Sequence, residues 1–367
     1  MLRVQLPIHR ILLLTLLLLA ASTLVLAPLA NAQVIEPPYD AVYTLTDLGT
    51  VAQLPTPYGG LDFLPGNPNV IVIGGSANNA AGAMYSVGVV RNAQNHITGF
   101  SGAATLFSDG QFNDGGVVFG PGGVLFYARF PTNEAGQVKP GSTITDKIVD
   151  LTPLGILGPV TSMSTLKRFS APQGAASSVG ALNFVPAGYP GAGQLKIVSY
   201  DTGNWYTCAY SADGSGTYNI TSAVLNTNID VGPEGFIYVP TGSPVFPANS
   251  MIVSEYGNDV VTTYQFDGSA NPTPASRAVF VSGLTGAEGA VIDPLTGDFL
   301  FSTFGSVNHV IVVRGFAIPV TPPPGPTPTP NSGPPTSPVP TLSLPMLVML
   351  GLALAGISVF LISTRRN

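Results

Sequence analysis

Residues 286–302, GAEGAVIDPLTGDFLFS, carry the pattern that decides the fold. An apolar run, Ala290-Val291-Ile292, meets a turn, Asp293-Pro294-Leu295-Thr296-Gly297-Asp298, and a second apolar run, Phe299-Leu300-Phe301, follows. Proline presets φ for a turn, glycine accepts positive φ, and aspartate bonds nearby backbone amides. Two short runs joined in this way predict neighbouring antiparallel strands.

Working outward, the same pattern recurs. Aligned on G-x4-P, the copies are 60–65 (GLDFLP), 116–121 (GVVFGP), 235–240 (GFIYVP) and 289–294 (GAVIDP). A degenerate copy, 181–186 (ALNFVP), has Gly180 one place early. The prolines fall 56, 65, 54 and 54 residues apart. Second strands are expected at 70–74, 124–129, 195–200, 251–256 and 299–304, and KIVSY at 196–200 closely resembles MIVSEY at 251–256. Third strands are expected at 84–90, 205–210, 260–266 and 310–316, and the third strand of the second unit is obscure, with 142–148 as its best candidate. Outer strands are expected at 104–108, 166–170, 222–225 and 278–282.

Five units of four strands each are the mark of an all-β chain folded as a β-propeller. The last unit has no strand of its own after Phe316, and the strand-like segment 43–46 has no unit before it. Pairing the two would close the ring and leave no free edge. A sixth, divergent blade within 130–170 is the alternative.

Composition agrees. Charged residues make up 9% of the 367, with 43 Gly and 35 Pro, which suits many short strands and turns and argues against a helical protein. The single cysteine, Cys208, rules out a disulfide framework within the chain and reads as a buried small hydrophobe. Of 13 Lys/Arg, four lie in the terminal segments, so 33–364 carries a net charge of about −10 against 19 Asp/Glu. Such acidity argues against nucleic-acid binding.

Both ends differ from the middle. Residues 1–32 read as a secretory signal peptide: Arg3 and Arg10, an apolar stretch, then Ala30-Asn31-Ala32. The propeller domain spans 33–318. Residues 319–340 hold 11 prolines in 22 positions and read as a semi-rigid stalk. Residues 344–363 contain no charge and are long enough to span a bilayer as one C-terminal transmembrane helix. Arg365 and Arg366 follow and would hold the C-terminus in the cytoplasm.

Val339-Pro340-Thr341-Leu342-Ser343, then the apolar span, then Arg365-Arg366, resembles the IPTL-CTERM sorting domain, a relative of PEP-CTERM. The resemblance covers 339–367, and Leu344-Pro345 stand where that family commonly has Glu-Trp. It implies an exported protein, anchored in the membrane or sorted to the cell surface, with an exosortase-type processing enzyme as partner. The repeats also look like those of the NHL/SMP-30-like propellers, as in Asp293-Pro294-Leu295-Thr296-Gly297-Asp298.

No phosphate loop, HExxH, CxxC or GxSxG occurs, and His9, His96 and His309 are scattered. Carboxylates are the only candidates for chemistry. Inner strands of a propeller line its axis, so equivalent positions converge. Glu234 and Glu288 each stand six residues before their proline, and Asp114 stands one place earlier in its unit. These three would ring one mouth of the channel and suit Ca²⁺, a hard cation that takes carboxylate oxygens. Asp62 and Asn183, each three residues before a proline, would form a second level. The alternative is that all five are turn residues bonding their own backbone. In propeller lactonases an axial cation held by acid and amide side chains polarises an ester carbonyl. Two functions therefore stand: a surface-displayed binding or matrix protein with a polysaccharide or protein ligand and no necessary cofactor, or a metal-dependent hydrolase.

Overall fold

The computed structural model describes residues 33–156, 178–229 and 232–319. The signal peptide over 1–32, the stalk from 320 onward, the sorting motif, the transmembrane tail and the outer strand expected at 166–170 lie outside the described residues. Among the described residues no helix is long and apolar enough to cross a membrane.

Among the described residues, twenty-one strands form five antiparallel sheets, the five blades of a propeller. The chain first contributes β1 (Val34–Ile35) and β2 (Thr44–Asp47). Blade 1 is β3 (Tyr58–Phe63), β4 (Val70–Gly75), β5 (Ala83–Arg91) and β6 (Ile97–Asp109). Blade 2 is β7 (Asn113–Phe119), β8 (Leu125–Arg129), β9 (Glu134–Val138) and β10 (Lys147–Asp150). Blade 3 is β11 (Val179–Phe184), β12 (Leu195–Ser199), β13 (Asn204–Ala212) and β14 (Tyr218–Asn228). Blade 4 is β15 (Pro233–Tyr238), β16 (Ser250–Glu255), β17 (Val260–Gln265) and β18 (Ala278–Ser282). Blade 5 is β19 (Val291–Ile292), β20 (Phe299–Ser302) and β21 (Val310–Arg314), completed by β2, which pairs antiparallel with β21 from Thr44↔Arg314 to Asp47↔Ile311. The ring therefore has five blades and closes as the unpaired strands at its two ends suggest.

Blade 2 corrects the sequence reading. Its third strand is Glu134–Val138, and its outer strand, Lys147–Asp150, begins at the end of the 142–148 stretch expected to be third. The segment before residue 40 also joins the ring. Val34–Ile35 adds a fifth strand to blade 4 through Val34↔Ser282, and Tyr39 is buried at the blade 4–5 seam. Asp109-Gly110 links blade 1 to blade 2, and the Gly110 carbonyl accepts from Asn113 N–H at 3.0 Å.

Alternation along each second strand builds the core, because successive side chains point to opposite faces of a sheet. Ile71 and Ile73 face blade 5, where they join Leu300 and Val312, while Val72 faces Val117 and Tyr127 of blade 2. In β16, Met251 and Val253 pack toward Trp205 of blade 3, and Ile252 packs toward Phe299 and Phe301 of blade 5. One apolar cluster fills each of the five seams.

Glycines bring the inner strands together at the axis. A Cβ on Gly60 would lie 2.2 Å from the Gly115 carbonyl oxygen, one on Gly235 2.4 Å from that of Glu288, and one on Gly289 2.7 Å from Gly60 Cα. The glycine of the G-x4-P repeat is thus the residue that lets neighbouring blades touch through their backbones.

The turn that opened the reading clasps the seam between blades 5 and 1. Arg91 donates to both Asp293 oxygens, at 2.5 and 3.1 Å, and His96 Nδ1 lies 2.7 Å from Asp298 Oδ2. Asp293 and Asp298 side chains are fully buried. His309 likewise meets Asp47 of β2, at 2.7 Å. Both histidines pair with carboxylates, His96 across the blade 5–1 seam and His309 within blade 5, where β2 closes the ring.

Candidate functional site

The inner strands bulge at one level. Register shifts fall between Tyr58 and Leu61, Asn113 and Val117, Val179 and Ala181, and Pro233 and Gly235. A bulge bends its strand and re-aims a side chain. In blade 5 the corresponding stretch precedes β19 and is held by the isolated Ala287↔Thr303 bridge. Asp114, Glu234 and Glu288 sit at these irregular positions.

Their carboxyls converge. One oxygen from each lies within 4.8 Å of the others, and the three residues are 0%, 4% and 1% exposed. Asp114 Oδ2, Glu234 Oε2 and Glu288 Oε1 are buried without a hydrogen-bond partner. No ion pair among the described residues reaches the trio. Blade 3 makes room with glycine, since a Cβ on Gly180 would lie 3.0 Å from Glu234 Oε2.

Burial disfavours charge here, and the neighbouring carboxyls add repulsion. Burial pushes Asp114 up to about 7. It raises Glu234 well above the usual carboxylate range, with Asp114 and Glu288 adding to the rise, and it raises Glu288 likewise beside Asp114. Three buried acids without a cationic partner must hold protons or share a cation. An all-oxygen set of this kind suits a hard divalent ion, Ca²⁺ above all.

Asp62 and Asn183 do not join this cluster. Asp62 accepts from Phe63 N–H at 2.7 Å and from Phe119 N–H of blade 2 at 2.6 Å. Asn183 accepts from Phe184 N–H at 2.7 Å and donates to the Phe236 carbonyl of blade 4 at 2.8 Å. Each staples its blade to the next, so the expected second level of ligands is a pair of seam contacts.

Two parts of the mouth escape the sequence reading. Asn78, in the loop after β4, reaches Asp114. Aromatic residues follow the second strands of the other four blades: Phe130, Tyr200, Tyr256 and Phe304. The signal for the second lay in plain view, since the matching segments KIVSY and MIVSEY both end on these tyrosines. Both phenols are raised by burial and by the nearby carboxyls, with Glu234 foremost for Tyr200 and Glu288 for Tyr256. Trp205 is wholly buried against Phe236, ring centroids 4.4 Å apart, and serves the core. Cys208 is buried, its thiol pushed up to about 12 by burial.

No family model matches the chain, and no curated protein matches it. Solved structures resemble it in fold. A protein assigned as a 6-phosphogluconolactonase from Bacteroides uniformis aligns at 11% identity over 73% of this chain and 74% of its own, with a TM-score of 0.39. The calcium structure of a Trichoderma reesei carbohydrate-active enzyme of family AA12 aligns at 8% over 78% and 97%, TM-score 0.42. An auxiliary nutrient-binding protein from Bacteroides ovatus aligns at 11% over 74% and 76%, TM-score 0.37. Each TM-score is below 0.5, and neither the fold nor the site is argued from these likenesses.

Proposed function

We propose that the chain is an exported binding propeller, held at the cell surface or in the matrix, whose axial carboxyl trio takes a divalent cation. The cation reading is carried by one observation: three buried carboxyls from blades 2, 4 and 5 meet within 4.8 Å, and each keeps an unpartnered oxygen. An ion there would tie three inner strands together and fix the mouth that they frame. Burial of the trio favours a structural ion over a reacting one, because a catalytic metal keeps a coordination position open to substrate. Export and display rest on the sequence of the two termini, and the ligand class proposed is matrix polysaccharide or a surface protein.

The experiment is metal analysis of the purified chain, combined with retention on isolated envelope and exopolysaccharide with and without Ca²⁺. Stoichiometric Ca²⁺ that is lost in the Glu234→Gln/Glu288→Gln double variant, with retention that follows it, is the expected result. Steady lactone or ester turnover that disappears in the same variant would replace the binding reading with a metal-dependent hydrolase. A chain that holds no divalent ion and is not retained would overturn both.

A further inference from the structure

The aromatic residues at the mouth form an arc. Phe130 and Tyr200 have ring centroids 5.5 Å apart, Tyr200 and Tyr256 6.0 Å, and Tyr256 and Phe304 5.7 Å, all edge to face. Antiparallel pairing places the end of each second strand beside the start of its first, so these rings stand at the same end of the ring as the trio. The arc runs through blades 2 to 5 and stops at blade 1.

There β4 ends at Gly75 and the chain continues Ser76-Ala77-Asn78. Ser76 and Asn78 both adopt left-handed backbone, with φ of 48° and 62°. Asparagine tolerates that region better than most residues. The loop is tied down at each step. Ser76 N–H donates to the Pro55 carbonyl at 3.0 Å, Ala77 N–H to that of Pro57 at 3.0 Å, and Asn78 N–H to that of Asn113 at 2.8 Å. Asn78 is thereby set against the start of β7. Its carboxamide has two orientations there: in the structure, Oδ1 faces Asp114 Oδ1 and the Asn113 carbonyl oxygen, and with the nitrogen turned inward it would donate to them at 3.0 and 3.1 Å.

A carboxamide carries a donor and an acceptor on one rotatable plane. With Oδ1 inward, three oxygens meet: its own, Asp114 Oδ1 and the Asn113 carbonyl oxygen. That arrangement is unfavourable without a cation and suitable with one, since Ca²⁺ gathers six to eight oxygens and readily takes amide and backbone carbonyls beside carboxylates. We propose that Asn78 is a fourth side-chain ligand of the axial ion, coordinating through Oδ1 when the ion is bound and turning its amide nitrogen to Asp114 when it is not. The proposal rests on the cation reading of the trio. Asn78 adds an oxygen without adding charge, so it also restrains the preference of the site for more highly charged ions.

The test is tyrosine-sensitised Tb³⁺ luminescence, with Ca²⁺ competition, on the full chain, because Tyr200 and Tyr256 stand close enough to the trio to act as donors. Asn78→Leu removes both donor and ligand and should weaken Ca²⁺ and Tb³⁺ by about tenfold or more. Asn78→Asp keeps an oxygen and adds a charge, so Tb³⁺ should bind more tightly than in the parent and its preference over Ca²⁺ should rise. Opposite movement of the two variants is the signature of a ligand. Equal weakening in both would show that Asn78 only supports the loop, and unchanged binding in both would remove it from the site. Either result would leave the trio intact as the site, provided that Glu234→Gln/Glu288→Gln abolishes binding. A parent chain that binds neither ion would end both readings together.

Discussion

At the scale of single residues, the trio sets a sign for pH. A carboxyl raised on folding favours the protonated native state, so its stabilising effect is complete below the ordinary carboxylate pKa and is lost as pH climbs through the raised value. Asp114 is raised to about 7, and Glu234 and Glu288 are raised with it. In chelator the chain should therefore melt highest near pH 4 to 5 and lose stability toward neutral pH. Saturating Ca²⁺ should reverse that slope, because coordination requires the ionised form. Thermal melts from pH 4 to 8 check this, and Glu234→Gln/Glu288→Gln should flatten both curves. The pairing of Glu234 with Glu288 was legible in the sequence because both keep the same distance from a proline. Asp114 stands one place off, and the bulge between Asn113 and Val117 absorbs the difference. Asp62 and Asn183 misled because spacing places a side chain on the inner strand but does not show whether the next blade offers it an amide or a carbonyl. Asn78 lay hidden because, where the other four second strands are followed by an aromatic residue, β4 is followed by Ser76-Ala77-Asn78, so no shared residue type marks the position.

At the scale of elements, the recurring glycine has a packing reason. Gly235→Ala would drive a methyl against the Glu288 carbonyl oxygen, 2.4 Å from the ideal Cβ. Backbone on that side cannot yield as a side-chain tip can. The substitution should cost about 3 kcal/mol and lower the melting temperature by several degrees in calorimetry. Gly268→Ala, where a Cβ meets nothing within 4 Å, should be near neutral in the same experiment. Strands with strong apolar alternation, such as β4 and β16, were legible from sequence. Strand β9 was not, because EAGQV carries glycine and two polar residues and lacks the period of two. Strand β1 is only two residues long and draws its place from blade 4 rather than from its own pattern.

At the scale of the whole molecule, the N-terminal segment serves two blades, with β1 on blade 4 and β2 on blade 5. Without it, β21 would present a bare edge. Removal of residues 33–50 should yield aggregated or poorly cooperative protein. Joining that segment after residue 318 through a short glycine linker should restore a single sharp melting transition, because the pairing partners are unchanged; failure of the permuted chain to recover it would mean that the segment does more than close the ring. Closure also has a consequence in time. Thr44 must wait for Arg314, its partner in the ladder. At about 5 to 20 residues per second of synthesis, the intervening chain takes roughly a quarter of a minute to a minute to arrive. Throughout that interval the opening strand has no lasting mate. The finished ring is a product of the whole chain at once, and a nascent chain is poorly placed to lock into it before its last blade exists.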